Sequence, residues 1–296
     1  MGFGIKVYRV FRPIIDPLFL PFFRDIEPIL KKARINKDIA EYLGDTFIYS
    51  IIIATFFAIF GIIAGIIVVA VGKNPKLMIL LPVFAMIALL VGFTFSILFF
   101  RIYPSLIVSS RARKIDNALY LATIYMATIA TSGSNPLTMF SLLAKYKEFS
   151  EISKEAADIV QYVRGLGMDL ATALHIKAAN SPSREWKELL EGIRSIIMEG
   201  GDLEKFLYDK AHQYIQDFKR KLVEYTNSMQ VILEIYITLI IVGVIFVLIL
   251  TTLLGSIMGG NAKMIQQMQM FLVLVFLPAS TIVFILILKA MSPFEV

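Results

Sequence analysis

Residues 47–71 read FIYSIIIATFFAIFGIIAGIIVVAV, without a single charge. A hydrocarbon core about 30 Å thick needs about 20 helical residues, so this stretch is long enough to cross a bilayer. Three more stretches have the same character: 77–100, 231–254 and 271–288. They fall into two pairs, within 47–101 and 231–290. Between the pairs lie the polar residues 102–230. The chain reads as an all-α integral membrane protein with four transmembrane helices, two plus two, flanking a soluble insertion. Residues 1–46 form an N-terminal helical segment and 291–296 a short tail.

The 296 residues are 57% hydrophobic and 18% charged. A soluble domain is roughly 45–50% apolar and about 25% charged. With no cysteine and only His175 and His212, the chain offers no disulfide, no thiolate nucleophile and no histidine-rich zinc site. The formal net charge is +6. In a membrane protein, excess Lys and Arg reports orientation and contact with lipid, and no nucleic-acid partner is implied. The N-terminus does not read as a cleavable signal, because Lys6, Arg9, Arg12 and Pro13 interrupt its apolar residues. Its spacing of Val7, Val10, Phe11, Ile14, Ile15, Leu18, Phe19 and Phe22 among basic residues is amphipathic, suited to the membrane surface or to packing on the insertion.

Eight of the 29 basic residues lie in 1–46, and Arg101, Arg111, Arg113 and Lys114 cluster after the second span. The positive-inside bias places both regions in the cytoplasm. Both termini are then cytoplasmic, and the connections at 72–76 and 255–270 are external.

The insertion shows helical periodicity with clear punctuation. Ile115, Leu119, Ala122 and Met126 recur at steps of three and four. Gly133, then Asn135-Pro136, closes one helix and opens the next. Gly167 with Asp169, and Gly201 with Asp202, repeat a glycine-then-aspartate boundary. A fifth helix carries the stripe Trp186, Leu189, Leu190, Ile193, Ile196 and Ile197 and ends near Glu199. The expected product is a six-helix cytoplasmic bundle over 102–230.

A search for chemistry returns no nucleophile elbow, zinc-protease motif or phosphate loop. No catalytic, metal or cofactor-binding residue is assigned, and the expectation is a protein that is not an enzyme. Glu234 is the one carboxylate inside a span, and intramembrane acids are functional candidates. Gly61 and Gly65 form a Gly-x-x-x-Gly that permits close helix approach, within the chain or between chains. Lys31, Lys32, Arg34, Arg111, Arg113 and Lys114 are candidates for docking a cytoplasmic partner or for touching anionic headgroups.

The order of spans, insertion and helix boundaries resembles the type II secretion system F domain family. The resemblance is carried by residues 118–123 (ALYLAT), Thr131-Ser132-Gly133-Ser134, 163–174 (VRGLGMDLATAL), Ser181-Pro182 and 200–207 (GGDLEKFL). Residues 33–43, read as a helix before the first span, look like the archaeal and tight-adherence branches. The resemblance implies a platform protein in the cytoplasmic membrane of a type IV pilus-like, secretion or archaellum-like machine. Its implied partners are a cytoplasmic hexameric assembly ATPase and pilin-like subunits. Since many members carry two such insertions and this chain one, it also implies a homodimer or a paired paralogue. The alternative is a transporter or channel component; no acid or base lies at mid-depth in a span, although Pro278 is placed to kink the fourth.

Overall fold

The computed structural model describes residues 3–72, 81–258 and 262–291. Among them every regular element is helical. The chain divides into two compact units, Met1–Leu207 and Tyr208–Val296.

The first unit is organised by two long helices, α3 (Ile39–Gly72) and α4 (Leu81–Ala130). They are apolar where they pair, and small residues let their backbones approach. A Cβ on Gly61 would lie 2.5 Å from the Cβ of Ala88, and one on Gly92 would meet Phe57. Gly65 is buried one turn beyond Gly61. Ser50 and Ser96 share a buried hydrogen bond of 3.0 Å across the pair. Proline inside a helix strips the carbonyl four residues earlier of its donor. Pro104 does so to Phe100, and the Tyr42 hydroxyl donates to that carbonyl at 2.6 Å. The 50 residues of α4 therefore continue as one helix from the apolar pair into the insertion.

Helices α1 (Phe3–Phe23) and α2 (Ile26–Lys32) precede this pair. The buried stripe Ile15, Phe19, Phe23 of α1 packs on Tyr42, Leu43 and Phe47 of α3 and on Phe93 of α4. The amphipathic N-terminus thus lies on the apolar helix pair and not on the helices of the insertion. The helix expected over 33–43 does not form as one piece. It breaks at Arg34, which has φ +57, and α3 begins only at Ile39.

On the C-terminal half of α4 lie α5 (Pro136–Leu143), α6 (Glu151–Arg164), α7 (Leu170–Asn180) and α8 (Arg184–Glu199). Ile115, Leu119 and Met126 meet in one core with Phe140, Ile159, Leu174 and Trp186, all buried. The punctuation is local chemistry. Asn135 accepts from the Leu137 amide at 2.8 Å, Asp169 from Thr172 at 3.0 Å, and Asp202 from Lys205 at 2.9 Å. Gly133 and Gly167 both have φ +68, in the left-handed region that glycine enters at no steric cost. At the third boundary the left-handed residue is Gly200, with φ +69, and not Gly201. Helix α9 (Leu203–Ile235) starts in this unit, with Leu207 buried.

The second unit holds the rest of α9, then a π-helical stretch Tyr236–Val242 and α10 (Gly243–Met258). It continues with α11 (Ala262–Phe271), a second π-helical stretch Leu272–Phe276 and α12 (Leu277–Met291). Most of the 255–270 connection is therefore helical, and the fourth apolar run extends back to Ile265. Polar contacts between the two runs include Tyr236 to Thr281 at 2.8 Å and Gln269 to Thr252 at 2.9 Å and to Thr251 at 3.2 Å. The 72–76 connection, beyond Gly72, and the tail beyond Met291 lie outside the described residues.

Candidate functional site

Helix α6 carries Glu151, Glu155 and Asp158 at i, i+4 and i+7, which aligns them on one face. Its apolar residues Ile152, Ala156 and Ile159 enter the core on another face. The acidic stripe meets three cations from elements remote in sequence. Arg111 of α4 donates from Nε to Glu151 at 2.8 Å and from Nη2 to Glu155 at 2.7 Å. Its Nη1 donates to the carbonyl of Lys32 at the end of α2. Lys177 of α7 pairs with Glu155 at 3.1 Å and with Asp158. Arg34, in the linker before α3, donates to the Lys154 carbonyl at 3.0 Å and to Asp158.

The cluster has a dry side and a wet side. The Arg111 and Glu155 side chains are 9% and 1% exposed, while those of Arg34 and Asp158 are both 31% exposed. The wet side opens into a cleft of about 670 Å³ lined also by Lys31, Asn36 and Lys37. Burial pushes the Glu151 carboxyl up, but hydrogen bonds from Lys154 and Arg111 outweigh it and hold the group below the ordinary glutamate range. The positive φ of Arg34 is a strained conformation for a side-chain-bearing residue, held by hydrogen bonds to the Lys154 carbonyl and Asp158 and by an ion pair with Glu155 at 3.6 Å.

Chemically the cluster is a clamp. Its carboxylates are taken up by guanidinium and ammonium groups. Among the described residues no group of three or more His, Asp or Glu is placed to hold a metal ion. The structure divides the six basic residues singled out in the sequence. Arg34 and Arg111 lie inside the clamp, and Lys32 enters it through its carbonyl. Lys31 pairs with Glu27 on the surface at 2.9 Å, and Arg113 and Lys114 are exposed. Glu234 is exposed and accepts from Gln230 at 3.2 Å. Sequence reasoning missed Glu151, Glu155, Asp158 and Lys177. The signal was the i, i+4, i+7 acidic spacing, which also fits an ordinary solvated face.

Among the described residues four helices are long and apolar enough to cross a membrane by length and composition, and the class they define is a multi-pass all-α membrane protein. Residues 122–251 match the family described as type II secretion system (T2SS), protein F. It is similar to an uncharacterized protein of Methanocaldococcus jannaschii, with 23% identity over 136 residues, 46% of this chain and 23% of that one. It is also similar to flagella accessory protein J of the same organism, with 22% identity over 137 residues, 46% of this chain and 24% of the relative. The matched part thus spans about a quarter of the length of these curated relatives. No solved structure matches.

Proposed function

We propose that this chain is a platform protein of the cytoplasmic membrane in a pilus-like assembly or secretion machine. The reading is that a cytoplasmic hexameric ATPase acts on residues 102–230 and that the work reaches pilin-like subunits at the membrane. The family match and the similarity to an archaeal flagella accessory protein support this reading. The observation that carries it is α4. A helix rises 1.5 Å per residue, so its 50 residues form a rod of about 75 Å. One end is apolar enough for a bilayer and the other is locked into a helical core. A rod of this kind passes displacement from a soluble face to the membrane without chemistry of its own. Pairing of two copies, or of this chain with a paralogue, would supply the second insertion that many family members carry.

Co-purification tests the reading. Arg111 is an unsuitable probe because its reversal would break the buried clamp. The exposed Lys31 and Arg113 are suitable. Reversing both to Glu should leave insertion unchanged and stability within about 1 kcal/mol, since Lys31 loses only a surface pair with Glu27, while reducing ATPase co-purification and filament or secretion output. Wild-type co-purification and output with the double variant would assign these charges to topology and lipid contact. Failure of the wild-type chain to retain any ATPase from native membranes would contradict the platform reading.

A further inference from the structure

Helix α1 contains three prolines, Pro13, Pro17 and Pro21, spaced four apart and all exposed. Each lacks the N–H that would bond the carbonyl four residues earlier. The carbonyls of Arg9, Pro13 and Pro17 therefore have no donor at the usual position. The spacing sets them in one line along the helix. Arg9 and Lys6 are exposed on this side, away from the buried stripe Ile15, Phe19, Phe23. A line of carbonyls without helical donors is too costly for hydrocarbon, and it requires water or another donor.

The remaining flanks of α1 differ in character. Phe11 and Phe22, about three turns apart and so on one line, are 40% and 54% exposed. Phe11 packs at a tilt against Phe47 of α3, ring centroids 5.5 Å apart, and one turn beyond Phe47 on the same face Ile51 is exposed, so this flank runs into the exposed apolar surface of α3. The other flank is polar. There Asp16 accepts from the Tyr8 hydroxyl at 2.8 Å and from Arg12 at 3.2 Å. A helix pinned sideways to an apolar pair, with one greasy flank and one ionic flank, matches the boundary between hydrocarbon and water.

We propose that α1 lies flat in the membrane interface and binds lipid headgroups there. Lys6 and Arg9 take the phosphates, and the proline-freed carbonyls accept from headgroup hydroxyls and water. The occupant is lipid because the apolar flank is continuous with the bilayer-facing surface of α3, and because the cations complement phosphate. The inference rests on α3 and α4 being membrane spans.

The chain has no cysteine, so single labels are clean. The full-length protein would be reconstituted in phosphatidylcholine vesicles containing phosphatidylglycerol, with an environment-sensitive fluorophore on Val10→Cys, Phe22→Cys or Ile59→Cys. Bromine-labelled acyl chains and aqueous iodide would serve as quenchers. Val10 and Phe22 labels should show equal, shallow quenching by brominated lipid, and the Ile59 label, within α3, deep quenching. Replacing Lys6 and Arg9 by Gln should abolish the dependence of quenching on phosphatidylglycerol. Replacing Pro13, Pro17 and Pro21 by Ala should move the Val10 label deeper, because the carbonyls regain their donors. Iodide quenching alone at Val10 and Phe22, or protection from both quenchers, would place α1 in water or under protein and overturn the proposal. So would an unchanged Val10 depth in the alanine variant. Shallow quenching at Ile59 would instead contradict the spans themselves.

Discussion

The ion pairs of Arg111 and Arg34 carry unequal energetic weight because one is buried and the other is partly exposed. Removing one partner of a buried pair leaves an uncompensated charge and costs about 3–5 kcal/mol. Arg111→Ala should fall in that range, read from denaturant or thermal unfolding in detergent, because Glu155 would be left almost fully buried. Arg34 is a third exposed, and exposed pairs contribute only about 0–1 kcal/mol. Its left-handed backbone costs about 1–2 kcal/mol, which glycine would not incur. Arg34→Gly should therefore leave stability within about 1 kcal/mol of wild type. A loss as large as that of Arg111→Ala would show the wet side of the clamp to be as strong as the dry side. Glu151 adds a pH signature. Its folded carboxyl titrates below the unfolded one, so its contribution is full above the ordinary glutamate value and is lost as pH falls through the folded value. As pH falls below the ordinary glutamate range, melting temperature should drop more steeply in wild type than in Glu151→Gln. Equal slopes would remove Glu151 from the acid response.

The helix boundaries give sharper contrasts at the scale of elements. Gly200 ends α8 in the left-handed conformation, so Gly200→Ala should cost about 1–2 kcal/mol. Gly201→Ala, with an ordinary backbone and a nearest neighbour at 3.4 Å, should cost under about 0.5 kcal/mol. The sequence pattern located this boundary correctly but could not say which of two adjacent glycines carries the strain. Gly61→Leu should separate α3 from α4, since even a Cβ there already crowds Ala88, and overpacking of this kind costs about 1–3 kcal/mol. Hydrophobic runs, caps and the amphipathic stripes of α4, α6 and α8 were legible because each is a local pattern. The clamp was not. Arg111 finds its carboxylates 40 and 44 positions away, and Arg34 finds Asp158 at a separation of 124. Charges at helical spacing look alike whether they face water or each other. The π-helical stretches after Ile235 and Phe271 likewise have no sequence signature in their uniformly apolar surroundings.

For the whole molecule, the account requires residues 102–230 and the N-terminal segment to share the cytoplasmic side. The basic residues of 1–46 and the group from Arg101 to Lys114 argue for that orientation. The clamp ties the segment before α3 to α6 and α7 within the first unit, so those regions must lie on one side of any membrane. Labelling with a membrane-impermeant thiol reagent in intact cells tests this most directly, using single cysteines at Asn74, Asn261 and Ser150 in a chain that has none of its own. Labelling at Asn74 and Asn261, with Ser150 reactive only after the membrane is opened, is the predicted result. Labelling at Ser150 in intact cells, with Asn74 and Asn261 protected, would put the insertion outside, beyond the reach of any cytoplasmic ATPase, and contradict the account.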